Sequence, residues 1–425
     1  MTTKNNQLKI IAVLISALFV LVPFHAAFVT ILGSQIDFKP VLQTWKELLI
    51  GVIVVLGFVA YLRDKTIFAF DRINILAISI IVLSLIVSAF ARPEAPVLLA
   101  GIKTNLVVLF LFLAVQAVAK KFTKDKLEKI ILIPAVIVGL IAILQPLIFT
   151  PSILTRIGYG TSSIEAGQYI EGSQSMLRVF STLGGPNQLG AYLLIPLILC
   201  LTLALRQKNW LWLIGFVGFC WPLYMTFSRS AWLGAIAGCL VVVLICFNKK
   251  IQLAVLASVI VVGLSGIIFV SQVNICTQFS TINTLLLHGD CSSGTLTGSD
   301  FQRLTSQKTG LDSVLAKPAG QGLGSAGPAS FFGGTPLITE NWYLQIAIEI
   351  GLVGLGLYIA FIAMIASKMY ISSQSNSSDS IMSAFLFAVI CGLAISSLFL
   401  HTLADSTISI LLFGILGIQK ARVSK

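Results

Sequence analysis

The sequence predicts an all-α fold: a polytopic integral membrane bundle of about twelve transmembrane helices with a large extracytoplasmic loop. Three observations predict it. Of 425 residues, 57% are apolar and only 10% are charged, against about 25% charged in an average soluble domain. Mean hydropathy is +0.97. That is too little polar side chain to coat a globule of this size, which excludes a soluble enzyme, a disordered regulator and a fibrous protein. Apolar runs of the roughly 20 residues that cross a hydrocarbon core recur along the chain. Alternation at strand period is absent from them, which excludes a barrel.

In chain order the runs lie at 10–32, 45–62, 73–90, 97–118, 130–150, 186–205, 210–227, 231–247, 251–270, 341–366, 381–400 and 403–419. The last holds Asp405 near its start. Residues 1–425 read as a single polytopic membrane domain, with 271–340 as an extracytoplasmic loop within it. An even number of spans puts both termini on one side. That side collects most of the 28 Lys and Arg, among them Lys4, Lys9, Lys120, Lys121, Lys249, Lys250, Lys420 and Arg422. By the positive-inside rule it is cytoplasmic. The expected location is therefore the inner (cytoplasmic) membrane, multi-pass, with both termini cytoplasmic. The net charge of +12 would suggest nucleic acid in a soluble protein. Here it is mostly a topology signal, and no nucleic-acid partner is expected.

The first run follows Lys4 and Lys9 as a signal peptide would. It is about twice the length of a normal h-region and no convincing cleavage site follows, so a retained helix is expected. Cytoplasmic connections such as Arg206–Asn209 are very short, and no G-x-x-x-x-G-K-[ST] occurs. Any chemistry is expected outside, where loops near 151–185 and 271–340 supply the bulk.

Five cysteines fall within spans and read as inert buried thiols. Cys276 and Cys291 lie in the large outer loop, an oxidising setting that permits a disulfide without requiring one. His25, His288 and His401 are scattered without a second ligand at metal-binding spacing, so ordinary structural roles are favoured and no metal or cofactor is expected.

Charges at a bilayer face are functional candidates because they are expensive to place there. Three stretches put an arginine near the outer ends of helices. The first, Arg178-Val-Phe-Ser-Thr-Leu-Gly-Gly-Pro-Asn187-Gln-Leu-Gly190, leads into the sixth run. Pro186 suits the first turn of a helix, whose free N–H groups favour an anion. The second, Thr226-Phe-Ser-Arg229-Ser-Ala-Trp-Leu-Gly234, is a tight turn. There Arg229 either snorkels or helps to build an anion site. The third begins Asp300-Phe-Gln-Arg303. Ser299 and Gln302 make a capping box, and Phe301, Leu304, Leu311 and Leu315 recur at helical spacing, as in a helix lying on the bilayer edge. A glycine-rich turn, Lys317-Pro-Ala-Gly-Gln-Gly-Leu-Gly-Ser-Ala-Gly327, follows. It lacks the context of a nucleotide-binding motif and says only that the backbone bends or approaches something closely.

The loop ends in Thr339-Glu340-Asn341-Trp342-Tyr343 and runs into a span carrying Glu349 and Gly351. Glu340 is the best-placed extracytoplasmic carboxylate for a general base, with a structural rival as a first-turn complement to the helix dipole. Glu349, further along the helix, reads as hydrogen-bonded inside the bundle. Lys103 and Glu349 are the clearest ionisable groups within spans.

The ordered set R-x-F-x-T-x-x-x-P-N-x-x-G, F-S-R-S, an arginine-bearing helix with P-x-G-x-G-x-G, and N-x-Y-L-x-x-x-x-E-x-G-L-x-G resembles the O-antigen ligase / O-antigen polymerase superfamily of membrane glycosyltransferases. Its motifs cover roughly 178–357. The resemblance implies transfer or polymerisation of glycan from an undecaprenyl-pyrophosphate-type donor. The acceptor would be a glycan, lipid or protein at the outer face of the membrane, and neither nucleotide sugar nor metal would be needed. It makes Arg178, Arg229 and Arg303 ligands of the donor pyrophosphate or stabilisers of the leaving group, with Arg303 and Glu340 as the catalytic pair. Asn187 and Asn341 join the substrate-binding set. Family ligases typically open the helix after the loop with His-Asn, whereas this chain has Glu340-Asn341. That departure disfavours a lipid A core ligase and favours a polymerase or a ligase with another acceptor. A protein O-oligosaccharyltransferase shares the architecture and donor. A flippase or other secondary transporter is the alternative outside the enzymes, although no convincing internal repeat supports it.

Overall fold

The computed structural model describes residues 2–35, 39–65, 68–161, 163–170, 176–253, 299–334 and 336–424. Among them the fold is all-helical, with no β-strand; Tyr169 and Leu177 form an isolated antiparallel bridge. The first apolar run folds as α1 (Thr2–Leu21) and α2 (His25–Gly33), joined by a 3-10 turn over Val22–Phe24 where Pro23 withholds a donor. Next come α3 (Lys39–Arg63) and α4 (Arg72–Ala91). The fourth run is broken into α5 (Ala95–Gly101), a π turn over Ile102–Leu106 and α6 (Val107–Ala114). The fifth is α7 (Lys124–Leu144), which starts earlier than the apolar pattern because Thr123 caps it, accepting from Lys126 N at 3.2 Å.

The second half holds α8 (Pro151–Arg156), α9 (Pro186–Gln207), α10 (Leu211–Met225) and α11 (Arg229–Cys246). It ends with α12 (Ser299–Ala316), α13 (Trp342–Ser373), α14 (Ser380–Ser396) and α15 (Ser406–Arg422). Among the described residues, 8 helical spans are long and apolar enough to cross a membrane, and α10 and α14 are shorter apolar helices. The chain is a polytopic helical membrane protein. The predicted span at 251–270 lies outside the described residues except for its first three, and Cys276, His288 and Cys291 lie outside them too.

At the centre, α9, α14 and α15 are buried along nearly their whole length, while α3 turns much of its surface outward. α9 packs on α10, α11 and α14, α13 lies against α4 and α14, and α15 covers α6. Between apolar helices in lipid, close packing replaces the hydrophobic drive, and small residues permit it. Gly234 of α11 and Gly392 of α14 meet this way, since a Cβ on Gly234 would sit 2.7 Å from the Gly392 oxygen.

The glycine-rich segment is folded into the bundle. Gln321 N donates to Ile348 O at 2.8 Å and Gly322 N to Glu349 O at 2.9 Å. In return Leu352 N donates to Pro318 O at 2.9 Å. These bonds exist because α13 opens at Gly351, whose φ of 77° takes it out of the helix and frees backbone groups on either side. On the other flank Leu323 N donates to Ser88 Oγ at 2.9 Å, and Gly324 (φ 83°) packs directly on the Val97 carbonyl. The Glu349 side chain, with 0% exposure, closes the arrangement. It accepts from Asn105 Nδ2, from Gln345 Nε2 at 3.3 Å, and from the backbone N–H groups of Gly324 and Ala326.

The loop is therefore held by a buried carboxylate, and each donor orphaned by its loss would cost about 1–3 kcal/mol. Glu349→Ala and Gly324→Ala are expected to lower the unfolding midpoint of detergent-purified protein by about 5 °C or more. Gly51→Ala, in α3 with open space where the new Cβ would sit, should leave it unchanged or raise it slightly. Thermal scans followed by gel filtration would check this, and equal midpoints for Gly324→Ala and wild type would contradict it.

Candidate active site

Residues 178–183 form the first wall of the site. Their path is fixed from below by Gln145, at the end of α7, whose Oε1 accepts from Phe180 N at 2.9 Å and Ser181 N at 2.8 Å. Ser181 Oγ donates to Val138 O at 2.7 Å and Thr182 Oγ1 to Pro23 O at 2.8 Å. These ties hold Ser181 at a φ of 54°, a left-handed conformation that a non-glycine residue keeps only when its surroundings enforce it. Arg178 is thereby aimed across the turn between α10 and α11. Its Nε donates to Thr226 O at 3.0 Å and its Nη2 to Asn187 Oδ1 at 2.9 Å.

The second wall is that turn. Thr226 Oγ1 donates to Leu223 O at 2.7 Å and accepts from Ser228 N at 3.2 Å, while Phe227 is held at a φ of 50°. Arg229 begins α11 directly after it. Tyr224 and Trp232 stack across the turn, with ring centroids 5.8 Å apart and planes 8° from parallel.

The third wall is α12 with the start of α13. Leu304, Leu311 and Leu315 are exposed on one face of α12, as suits a helix whose apolar side meets lipid. An adjacent face, which also carries buried Gly310 and Val314, turns inward. Arg303 Nε donates to Glu340 Oε2 at 2.7 Å, and Gln307 Nε2 reaches Leu398 O at 3.4 Å. Glu340 is itself at a φ of 48°. Asn341 caps α13, its Oδ1 accepting from Tyr343 N at 2.9 Å and Leu344 N at 3.1 Å and its Nδ2 donating to Leu398 O at 3.0 Å.

These walls bring three guanidinium groups together. Burial holds Arg178 down to about 10, helped by the neighbouring charges of Arg303 and Arg229. That is still well above neutrality, so the group stays charged and the cluster is strongly electropositive. The N-termini of α9, α11, α13 and α15 gather at the same end and add their dipoles.

Beside the arginines lies a cavity of about 380 Å³ lined by Lys46, Lys103, Thr104, Gln188, His401 and Asp405, among others. Asn187, the acceptor of the Arg178 bond, is part of its wall. On another side His401 Nε2 lies 3.2 Å from Thr339 Oγ1, next to Glu340. Burial keeps the His401 imidazole down to about 4, so it is neutral at physiological pH. Lys46 Nζ lies 3.2 Å from Glu47 Oε1 and 2.8 Å from His25 Nε2, and Lys103 Nζ lies 3.4 Å from the same Glu47 oxygen.

Of the residues singled out from sequence, Arg178, Asn187, Arg229, Arg303 and Glu340 converge here, and Asn341 stands beside them as a helix cap. Gln145, Lys46, His401 and Asp405 were not singled out from sequence as site residues. Gln145 is a lone amide in an apolar run, and Lys46 falls at the edge of one; both patterns are ordinary for a helix end. Only proximity to Arg178 and Glu340 in space distinguishes them.

No curated protein matches the chain. Residues 214–359 match a family described as O-antigen ligase (Wzy_C), a segment that contains the Arg229 turn, the Arg303 helix, the glycine-rich loop and Glu340. The matched segment is about a third of this multi-pass helical chain, and it is similar to the O-antigen ligase family over that segment.

Proposed function

We propose that the protein transfers or polymerises glycan units from a polyprenyl-pyrophosphate-linked donor onto an acceptor at the outer face of the cytoplasmic membrane. The observation that carries this reading is the convergence of Arg178, Arg229 and Arg303 on one end of the bundle, with Glu340 ion-paired to Arg303. A diphosphate bound to lipid sits at the membrane interface, and forked guanidinium groups suit its oxygens. The site end is taken to face outward and both termini to face the cytoplasm, following the positive-inside count.

In the reaction an acceptor hydroxyl oxygen attacks the anomeric carbon of the donor. The bond from that carbon to the pyrophosphate oxygen breaks, and the lipid pyrophosphate leaves with the electron pair. Negative charge grows on the leaving group, and preorganised cations lower the barrier by meeting it without reorganisation. Arg178 is prepared for this by its bonds to Thr226 and Asn187. The hydroxyl proton passes to Glu340, which Arg303 holds in place through its Nε bond. Asn187 orients Arg178, and Asn341 fixes the backbone that presents Glu340.

Purified protein given lipid-linked glycan extracted from its own cells should release polyprenyl pyrophosphate and form a new glycosidic bond, read by mass spectrometry. Arg178→Ala and Arg303→Ala are expected to slow the step about 100- to 1,000-fold. Glu340→Gln is expected to lower kcat about 100- to 10,000-fold with little change in donor KM. Asn341→Ala should mainly reduce stability, by about 1 kcal/mol. Full activity in both arginine variants would refute the reading. For orientation, a membrane-impermeant maleimide applied to spheroplasts should label Lys308→Cys but not Ser377→Cys in a cysteine-free background; the reverse pattern would invert the topology.

A further inference from the structure

The cavity beside the arginines differs from them in chemistry. The arginine cluster gathers three guanidinium groups, with the Glu340 carboxylate paired to Arg303. In the cavity, Lys46 and Lys103 share Glu47, and Asp405 lies in the wall, so its formal charges balance. A balanced wall gives a diphosphate little reason to bind there. What the wall offers instead is a mixture of hydrogen-bond donors and acceptors: ammonium groups, the Gln188 amide, the Thr104 hydroxyl, the Asp405 carboxylate and the His401 ring.

The His401 tautomer follows from its partner. Thr339 Oγ1 donates to Asn341 O at 2.9 Å, so its hydrogen is used and it accepts from His401 Nε2–H. Nδ1 of the neutral ring is then an acceptor. Thr104 Oγ1 likewise spends its hydrogen on Ala100 O at 2.8 Å and keeps lone pairs. Asp405 Oδ1 accepts from Thr407 N and Ile408 N at 2.9 and 3.2 Å, capping α15 and fixing the carboxylate. Lys46, with 2% exposure, is a rigid donor at the base. Interleaved donors and acceptors on a fixed frame match a ligand whose own surface alternates hydroxyl donors and acceptors. The volume of about 380 Å³ lies at the small end of ligand pockets and suits a mono- or disaccharide.

Position agrees with this. Asn187 of the cavity wall bonds Arg178, and His401 of the same wall bonds Thr339, the residue before Glu340, so the cavity adjoins the residues that hold the groups assigned to leaving-group and proton. We propose that this cavity is the saccharide subsite of the transfer reaction, with Lys103, Thr104 and His401 as its specificity-determining contacts. The proposal rests on the glycan-transfer reading and names where its sugar binds.

The test uses detergent-purified full chain and two probes: farnesyl pyrophosphate, and methyl glycosides of the sugars found in the cells' own lipid-linked glycan. At least one glycoside should inhibit transfer by the wild type. Lys103→Met and Thr104→Val should weaken that inhibition tenfold or more, with farnesyl pyrophosphate binding within twofold of wild type. Competition against the donor would place the donor's sugar in the cavity, and competition against the acceptor would place the acceptor's; either supports the subsite. Unchanged glycoside inhibition in both variants, or no inhibition by any glycoside in an active wild-type protein, overturns it. Failure of the glycan-transfer reading looks different: no turnover by the wild type, and no farnesyl pyrophosphate binding lost in Arg178→Ala.

Discussion

The arrangement of the site depends on a carboxylate that takes no part in it. Glu349 lies inside the bundle and gathers donors from α6's π turn, from α13 itself and from the glycine-rich loop. An unpaired carboxylate there would be prohibitively desolvated, so the loop has to fold inward to supply N–H groups, and the helix has to open at Gly351 to let it in. Two consequences reach the site. The loop draws the C-terminal end of α12 onto α13, which brings Arg303 to Glu340. The π turn that offers Asn105 to Glu349 also places Lys103 and Thr104 in the cavity wall. π turns insert a residue and re-aim those around it, which is why they gather at functional places.

Among the described residues, three of the five left-handed non-glycine residues lie beside the charges of the site, and the other two, Arg92 and Lys208, are helix C-caps. Ser181, Phe227 and Glu340 are each left-handed, and each lies within three residues of Arg178 or Arg229 or pairs with Arg303. Left-handed non-glycine residues cost of order 1–3 kcal/mol each and persist where the surroundings over-determine them. Here Gln145, Thr226 and the Asn341 cap do so. The bundle thus expends stability to hold three guanidinium groups near one another, against their mutual repulsion, where a water-exposed loop would let them separate. Stored repulsion of this kind is relieved by an anion, and relieved most by one whose charge is growing.

The membrane class was legible in composition, because 10% charge over 425 residues leaves no soluble alternative, and the helical class in the length and pattern of the apolar runs. Helix ends were legible where a cap or proline marked them, as at Pro186, and less so at Thr123 and Gly351, where a side-chain cap and a packed loop override the apolar pattern. The arginines stood out because arginine at a membrane face is rare enough to be noticed singly. Glu340 and Glu349 were separated correctly in kind, one at a helix start and one inside the bundle. The fate of the glycine-rich turn could not be read, since its partners Ser88 and Val97 are more than two hundred residues away in sequence. The cavity was hidden for the same reason: its residues come from α3, α5–α6, α9 and the link before α15, each ordinary where it stands.

These placements bear on the choice between a carrier and an enzyme. Alternating access requires one group of helices to rock against another around a midplane site. Here the ionisable groups of the site sit at one end, and that end is cross-tied: α7 to residues 180–181 through Gln145, those residues to the α10–α11 turn through Arg178, α12 to α13 through Arg303, and α13 to the α14 link through Asn341 and Trp342. Rocking would break several of these bonds at once, and those of Gln145 lie in the interior, where water is not at hand to replace them. Rigidity of that kind serves chemistry, whose rate depends on charges already in position when the bond breaks.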